Sequence, residues 1–411
     1  MASLCFYFQV HQPYRVKDYR VFDVGNDNEY FNDDSERSIN NKKILRKVAG
    51  KCYLPANAVL LELLKKHPEF KISFSFSGVF LDQLEEFSPE TLASFQELIA
   101  TGRVEVLEET YYHSLSFLYS PEEFRRQVTM HREKIQELFG VTPTVFRNTE
   151  LIYNNALAHE VERMGYKGII AEGADHVLGW KSPNFLYRPQ GTENIKLMLK
   201  NYRLSDDIAF RFSSKEWVDF PLTAPKFAKW ANEVNGNGHV INLFMDYETF
   251  GEHQWEDTGI FNFLRHLPEE IYKNPNNDFI TPSEAIARYE PVAELDVHNF
   301  MSWADVERDL SAWLSNPMQH DAIQSIYKLE EDVLATKDEK IISDWRKLQT
   351  SDHFYYMCTK WFNDGDVHKY FNPYNTPYEA FIAYMNALQD LRLRVVGHPN
   401  YVKKVAVKKL P

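Results

Sequence analysis

The feature of this 411-residue chain that most constrains its fold is a series of short apolar runs, each ending in a polar cluster. Seven such runs occur, at 4–10, 70–76, 104–107, 144–146, 168–171, 195–199 and 240–245. Strands that are apolar along their whole length are typical of a parallel sheet covered on both faces. Helical patterns lie between several runs, at 56–66, 121–139 and 155–164. The alternation predicts βαβ units.

About seven strand units predict an α/β fold with an incomplete (β/α)7 barrel rather than a doubly wound sheet. After about residue 300 the pattern changes, and helical periodicity dominates at 304–314, 321–337, 340–345 and 378–393. The predicted division is a barrel domain, residues 1–295, and a C-terminal α-helical bundle region, residues 296–411. Two long loops are expected, at 14–40 and 361–376.

Charge and cysteine content exclude several classes of protein. The formal net charge is 46 − 59 = −13, which argues against nucleic acid or an anionic membrane as the main partner. The three cysteines form no CxxC motif and cannot build a disulfide framework. The N-terminus lacks a basic region, and no apolar run reaches the ~18 residues needed to span a bilayer. These features predict a soluble, cytoplasmic protein.

Acidic side chains at strand ends are the main chemical signal. The sequence has no GxGxxG, no phosphate-binding P-loop and no GxSxG, and no two histidines are spaced i, i+4. Carboxylates follow several of the apolar runs: Glu108, Glu109, Glu150, Glu172, Asp246 and Glu248. A carboxylate pair facing across a cleft is the apparatus of glycoside hydrolysis. The alternative for any one of them is a helix cap or an ion pair with Arg147 or Arg188.

Five ordered segments resemble the α-amylase-type glycoside hydrolases of family 57. They are FQVHQPY around His11, FSGVFLDQLE around Asp82, RNTELIYN around Glu150, FMDYETFGEHQW around Asp246 and TSDHFYYM around Asp352. The ordered set, above all DYETFGEH, is specific. Two departures stand out: the third segment reads N-T-E, where many relatives carry Trp or Pro nearby, and Asp82 stands where many have Glu.

The resemblance implies a retaining double displacement on α-1,4-linked glucans such as starch, glycogen or maltodextrin. Glu150 would be the nucleophile and Asp246 the general acid/base. The C-terminal region would contribute to the cleft, and no cofactor is expected. Ten residues are predicted to bind substrate, with aromatic rings as sugar-stacking platforms: His11, Asp82, His113, His176, Glu248, Trp255, Trp303, Asp352, His353 and Tyr355. Asp175 and Trp180 are further cleft residues.

Three other functions stay open from the sequence. A 4-α-glucanotransferase would use the same two carboxylates with a sugar, rather than water, as the acceptor. A metal-dependent polysaccharide deacetylase on a similar barrel needs an Asp/His/His site, and the missing HxxxH counts against it. A catalytically silent glucan-binding protein would keep the cleft without turnover. The sequence predicts neither the preferred glucan nor the oligomeric state.

Overall fold

The computed structural model describes residues 2–32, 39–360, 368 and 372–408. The chain divides into two compact units. The first comprises residues 1–11, 45–110 and 128–303, and the second comprises 12–44, 111–127 and 304–411. The predicted domain division at 295/296 stays a prediction, and the second unit includes two earlier segments that the sequence did not assign to it. Most of the predicted loop 361–376 lies outside the described residues.

Ten strands lie among the described residues, and all belong to the first unit. Their bounds are β1 Ser3–Val10, β2 Ile72–Phe76, β3 Val104–Val106, β4 Val145–Arg147, β5 Gly168–Ala171, β6 Arg188–Pro189, β7 Lys196–Leu199, β8 Val240–Asp246, β9 Asp278–Phe279 and β10 Glu294–Leu295. Each of the seven predicted apolar runs contains one of the strands β1 to β5, β7 and β8. These are the strands that carry the polar ends.

The strands pair in parallel. One sheet has the order β3-β2-β1-β8 with β9 also on β1, a second has the order β4-β5-β7, and β6 pairs with β10. One parallel bridge, between Glu108 and Phe146, links the end of β3 to β4. Asn201 donates its backbone N–H to the Asn242 carbonyl at 2.9 Å, next to β7 and β8. The predicted α/β class with parallel strands is confirmed, but no closed sheet is found within the described residues.

The core of the first unit is built from the apolar runs themselves. All eight residues of β1 are buried, as are all five of β2. An aromatic cluster fills the space between these strands and the helices that follow β2, and Phe8, Phe74, Phe76, Phe95 and Tyr247 form its centre. Burial of rings of this size is the largest apolar contribution a side chain makes to folding. Cys5 and Cys52 are also buried here as free thiols.

Helices cover the strands of the first unit. They are Leu54–Lys66, Gly78–Phe87, Pro89–Ala100, Asn155–Arg163, Asp175–Leu178, Tyr202–Ala209, Ala224–Glu233, Ile260–Tyr272 and Pro282–Arg288. Two helices, Asn41–Val48 and Pro121–Phe139, begin in the second unit and end in the first. A π-helical turn, Ala49–Tyr53, precedes the helix Leu54–Lys66.

The second unit is helical in its described residues. Its helices are Ser311–Leu314, Pro317–Lys328, Glu330–Thr336, Glu339–Lys347, Ser351–Tyr355, Pro377–Gly397 and Pro399–Lys408. The predicted helix at 304–314 is wrong before Ser311, because Asp305 and Arg308 have φ values of 57° and 50°, which an α-helix does not accommodate. The predicted helix at 321–337 is two helices.

Buried ion pairs tie the second unit together. Glu123 is fully buried and accepts from Arg346 Nε at 2.8 Å. Asp344 accepts from Arg394 at 2.7 Å. The described part of the predicted loop 14–40 packs on the helix Pro377–Gly397, where the Tyr30 hydroxyl donates to Asp390 at 2.6 Å. Across the described residues, no helix is long and apolar enough to cross a membrane.

Candidate active site

The two predicted catalytic carboxylates lie at the carboxyl ends of parallel strands. Asp246 is the last residue of β8, where it is paired in register with Gln9 of β1. Glu150 lies in the 3-10 turn Thr149–Leu151, which follows β4 after Asn148. Since the carboxyl ends of parallel strands face the same edge, this is where ligands bind in folds of this class.

The backbone at Glu150 is unusual. Its φ and ψ are 57° and 26°, and Leu151 also has a positive φ of 50°. A left-handed conformation costs a non-glycine residue roughly 1–2 kcal/mol. Trp303 contacts this turn twice: its backbone N–H donates to the Glu150 carbonyl at 3.2 Å, and its indole Nε1–H donates to Glu150 Oε2 at 2.7 Å.

Two cations lie over the Trp303 ring. The Arg147 guanidinium carbon is 5.2 Å and the Lys200 Nζ 5.4 Å from the ring centroid, within the range of cation–π attraction. Lys200 also contacts Glu172 at 3.6 Å and Asp206 at 3.1 Å. The cations therefore surround the group that binds Glu150.

A buried polar chain links β1, β2 and β3 to Arg147. The Tyr7 hydroxyl contacts Gln9 Oε1 and Ser75 Oγ, both at 2.7 Å. Gln9 and Ser75 donate to Glu109 Oε1 at 3.1 and 2.9 Å. Arg147 Nη1 lies 3.7 Å from Glu109 Oε2, and both side chains are fully buried. None of the three guanidinium nitrogens makes a hydrogen bond within the part of the chain that the structure describes.

Glu108, which directly precedes Glu109, is the centre of a second buried network. Its carboxylate accepts from Tyr166 at 2.8 Å and Arg132 at 3.3 Å, and it contacts His131 Nδ1. His131 Nε2 lies 2.6 Å from the Phe76 carbonyl and donates to it. Burial alone lowers the pKa of His131, but the Glu108 carboxylate outweighs it, so the pKa is raised. His131 and Glu108 therefore form a buried, hydrogen-bonded pair.

The Asp246 side of the site is built differently. Glu248 would share a face with Asp246 only if the strand continued beyond Asp246, and it does not. β8 ends at Asp246 and Tyr247–Thr249 forms a 3-10 turn, because Tyr247 turns inward into the aromatic cluster, where it is fully buried. Glu248 instead accepts a hydrogen bond from the Tyr53 hydroxyl.

The chain after Glu248 passes very close to the π-helical turn. Gly251 has a φ of 119°, and a Cβ at this position would lie 2.1 Å from the Lys51 carbonyl oxygen, so only glycine fits. His253 follows, with its backbone N–H donating to the Glu248 carbonyl at 2.9 Å. Burial lowers the pKa of His253 to about 4, although Glu252 partly opposes the shift. His253 is neutral near pH 7.

The remaining predicted residues of the first unit differ in environment. His11 follows β1 directly, and its Nδ1 lies 2.6 Å from Ser77 Oγ. Asp82 lies on the helix Gly78–Phe87, with Lys134 at 3.9 Å. Trp255 and Trp180 are 59% and 92% exposed, so their rings are accessible for stacking. His176 is also exposed, in the short helix Asp175–Leu178.

Four predicted substrate-binding residues lie in the second unit. His113 is buried with a φ of 50°, and its carbonyl accepts from Ser351 at 2.9 Å. Asp352 accepts from the Tyr356 hydroxyl at 3.4 Å. His353 is buried and its Nε2 lies 3.2 Å from the Lys347 carbonyl. Tyr355 stacks on His368 with centroids 4.3 Å apart. Their role in binding stays a prediction.

The sequence missed the residues that support the carboxylates. Arg147 was considered only as an ion-pair partner of a strand-end acid, and its acidic neighbour is Glu109, while Arg188 pairs with Glu294. Tyr7, Gln9 and Ser75 were part of apolar runs. The sequence did hold a signal for these three residues, because polar atoms inside a buried apolar run need buried hydrogen-bond partners. No group of three or more potential metal-binding side chains occurs in the described residues.

The arrangement holds the Glu150 carboxylate with a fixed donor and places the Asp246 carboxylate at the end of a strand. A carboxylate held in one orientation suits nucleophilic attack, and a carboxyl group at a strand end can transfer a proton.

Comparison with known proteins gives consistent matches. The model of glycosyl hydrolase family 57 matches residues 5–298. A protein of Methanocaldococcus jannaschii is 42% identical over 98% of this chain and 86% of its own length. That protein is provisionally named an alpha-amylase. The 4-alpha-glucanotransferase of Thermococcus litoralis is 24% identical over 56% of this chain and 34% of its own.

Solved structures share the fold. The crystal structure of a family 57 branching enzyme from Thermococcus kodakaraensis superposes with a TM-score of 0.70 at 15% identity. The match covers 100% of this chain and 92% of that one. The match to the family 57 branching enzyme of Pyrococcus horikoshii has a TM-score of 0.67, with 15% identity over 90% of this chain and 87% of that one.

Proposed function

The chain belongs to glycosyl hydrolase family 57, and on that premise we propose that it cleaves α-1,4-glucosidic bonds of starch-, glycogen- or maltodextrin-like chains with retention. The names of the relatives, alpha-amylase and 4-alpha-glucanotransferase, support this substrate class. The observation that carries the proposal is the placement of Glu150 and Asp246 at the carboxyl ends of β4 and β8. We further infer that β1 to β5, β7 and β8 form an incomplete (β/α)7 barrel.

The mechanism uses two steps. In the first, a Glu150 carboxylate oxygen bonds to the anomeric carbon while the glycosidic C–O bond breaks, and the departing oxygen takes a proton from Asp246. In the second, water attacks the same carbon, Asp246 takes the water proton, and the ester bond to Glu150 breaks. The two inversions give net retention. Retaining enzymes place the two carboxyl groups ~5–5.5 Å apart.

Some of the surrounding residues stabilise the charge of Glu150, and others orient the sugar. The Trp303 N–H stabilises the ionised form of Glu150. The exposed Trp255 and Trp180 rings offer flat apolar faces for glucose units. His11 extends from the end of β1 as a hydrogen-bond partner for a sugar hydroxyl. The second-unit residues Asp352, His353 and Tyr355 stay predicted substrate contacts.

The test is incubation with maltoheptaose, following chain lengths by chromatography and the first anomer released by NMR. Shorter products with the α-anomer first support retaining hydrolysis. Longer chains formed alongside shorter ones identify transfer to a sugar acceptor, as in a glucanotransferase. A β-anomer first would contradict the mechanism, and activity lost with a chelator would favour the metal-dependent alternative. Binding without turnover would favour the non-catalytic alternative.

A further inference from the structure

The strained turn that carries Glu150 is held by a neighbouring stretch of backbone. Residues 297–303 run antiparallel to residues 150–155, and Tyr153 and Met301 exchange backbone hydrogen bonds of 2.9 and 3.0 Å. The Asn155 N–H donates to the Val297 carbonyl at 2.9 Å. The last hydrogen bond of this ribbon joins Trp303 N–H to the Glu150 carbonyl. The left-handed residue is therefore fixed by its surroundings.

The Trp303 side chain also fixes the carboxylate of Glu150. Its ring packs partly buried against the apolar core that includes Leu151 and Met198, so the indole has little freedom to turn. Its N–H donates to Oε2 of Glu150 at 2.7 Å. The cations of Arg147 and Lys200 over the ring further hold its position.

We propose that Trp303 is a positioning residue for the nucleophile, and the proposal rests on the proposed function of Glu150. With Oε2 held by the indole N–H, the Glu150 carboxylate is fixed in one orientation for attack on the anomeric carbon. When the ester bond to Glu150 breaks in the second step, the N–H stabilises the carboxylate as it regains its charge. The role differs from that of a sugar-stacking platform, which the sequence predicted for this residue.

The two roles predict different kinetic changes. A stacking platform binds the sugar equally in ground and transition states, so its loss raises KM and leaves kcat nearly unchanged. A positioning residue acts through Glu150, so its loss lowers kcat. It also makes the nucleophile easier to protonate, which moves the acidic limb of the kcat/KM profile to higher pH.

The experiment compares Trp303→Phe with Trp345→Phe on maltoheptaose. Trp345 is a matched control because its buried indole also donates one hydrogen bond, to the Ile326 carbonyl at 2.9 Å, and it lies in the second unit. For Trp303→Phe we expect kcat to fall about 10- to 100-fold, as for loss of one hydrogen bond to a charged group. KM should change less than about 3-fold, and the acidic limb should move to higher pH. Trp345→Phe should leave the pH profile unmoved.

A second replacement at position 303 separates the loss of the hydrogen bond from any loss of packing. β-(3-Benzothienyl)alanine, introduced at position 303 by codon suppression, keeps the shape of tryptophan but has sulfur in place of the N–H. It should reproduce the fall in kcat and the pH shift while melting at the same temperature as the parent protein.

Three outcomes would overturn the proposal: an unchanged kcat with a raised KM in either Trp303 replacement, an unmoved pH profile, or the same changes in Trp345→Phe. Failure of the proposed function is separate, because it would show as full turnover in Glu150→Gln whatever the Trp303 replacements do.

Discussion

The two strand ends that carry the proposed catalytic carboxylates differ in backbone geometry and in their neighbours. Glu150 lies on a left-handed turn, is bound by the Trp303 indole, and has Arg147 and Lys200 close to that indole. Asp246 ends a regular strand in extended conformation, with φ −66° and ψ 138°. A nucleophile needs one charge state and one orientation, whereas an acid/base must take up and release a proton in each cycle. In the proposed mechanism, the fixed turn at Glu150 meets the first need and the regular strand end at Asp246 meets the second.

Histidines on the two sides show the same division. The pKa of His131 is lowered by burial but raised on balance by the Glu108 carboxylate, which it contacts just after β3. His253, seven residues after Asp246, has its pKa lowered to about 4 by burial and stays neutral. The pKa values of these two histidines are therefore shifted in opposite directions.

Glu150→Gln should have the largest effect on turnover of all the substitutions at the two strand ends. The amide cannot attack the anomeric carbon, so kcat on maltoheptaose should fall by more than about 10⁴-fold while glucan binding persists. Turnover assays and calorimetric binding measure the two effects. Glu162→Gln is the matched control, since Glu162 accepts backbone N–H groups of residues 193–195, which precede the amino end of β7. Full turnover in Glu150→Gln would reject the assignment.

Asp246→Asn separates the two roles. Loss of the general acid should lower kcat/KM on maltoheptaose by about 10²- to 10⁴-fold. A 4-nitrophenyl maltooligoside has a leaving group that departs without protonation, so its first step should be slowed much less. Stopped-flow release of nitrophenol measures that step. An equal loss on both substrates would contradict the acid/base role.

Arg147→Met tests how strongly the buried pair of Arg147 and Glu109 stabilises the protein. The change leaves Glu109 buried without its positive neighbour, which should lower the free energy of unfolding by about 3–5 kcal/mol. Adding Glu109→Gln should recover part of that loss, because the uncompensated charge is removed. Urea unfolding of both variants measures the difference, and no recovery in the double variant would show that the two side chains are not coupled.

His253, which follows β8, can be tested through the pH dependence of the free energy of unfolding. Its pKa is about 4 in the folded protein and ~6.5 in an unfolded chain, so between these values the unfolded state binds more protons. Stability from this residue is therefore present above pH ~6.5 and is lost as the pH falls toward 4. Urea unfolding between pH 4.5 and 7 should show a shallower pH dependence in His253→Gln. An unchanged slope would show that His253 is not the group that titrates.

The sequence predicted the elements that depend on local pattern. All seven apolar runs contain strands, and the helix Pro121–Phe139 has its predicted bounds. The family 57 resemblance, drawn from five short segments, is confirmed. Both carboxylates lie at strand ends as predicted, because an apolar run followed by an acid has few other arrangements in a parallel sheet.

The features that sequence reasoning missed depend on distant contacts. Nothing local in RNTEL indicates a positive φ at Glu150. The glutamate adopts this conformation because the backbone of residues 297–303 holds the turn by hydrogen bonds. The hydrogen bond from Trp303 spans 153 positions. The turn after Asp246 also escaped prediction, because it depends on the aromatic cluster that buries Tyr247.

The free cysteines of the first unit offer an intrinsic reporter. Burial raises the pKa of the Cys5 and Cys52 thiols well above the ordinary value, so alkylating reagents meet neither an accessible sulfur nor a thiolate while the strands stay paired. Cys5 lies within β1, and Cys52 lies in the π-helical turn that touches Gly251. The labelling rates of these two sulfurs thus time how often each element opens in the native protein, without any engineered probe.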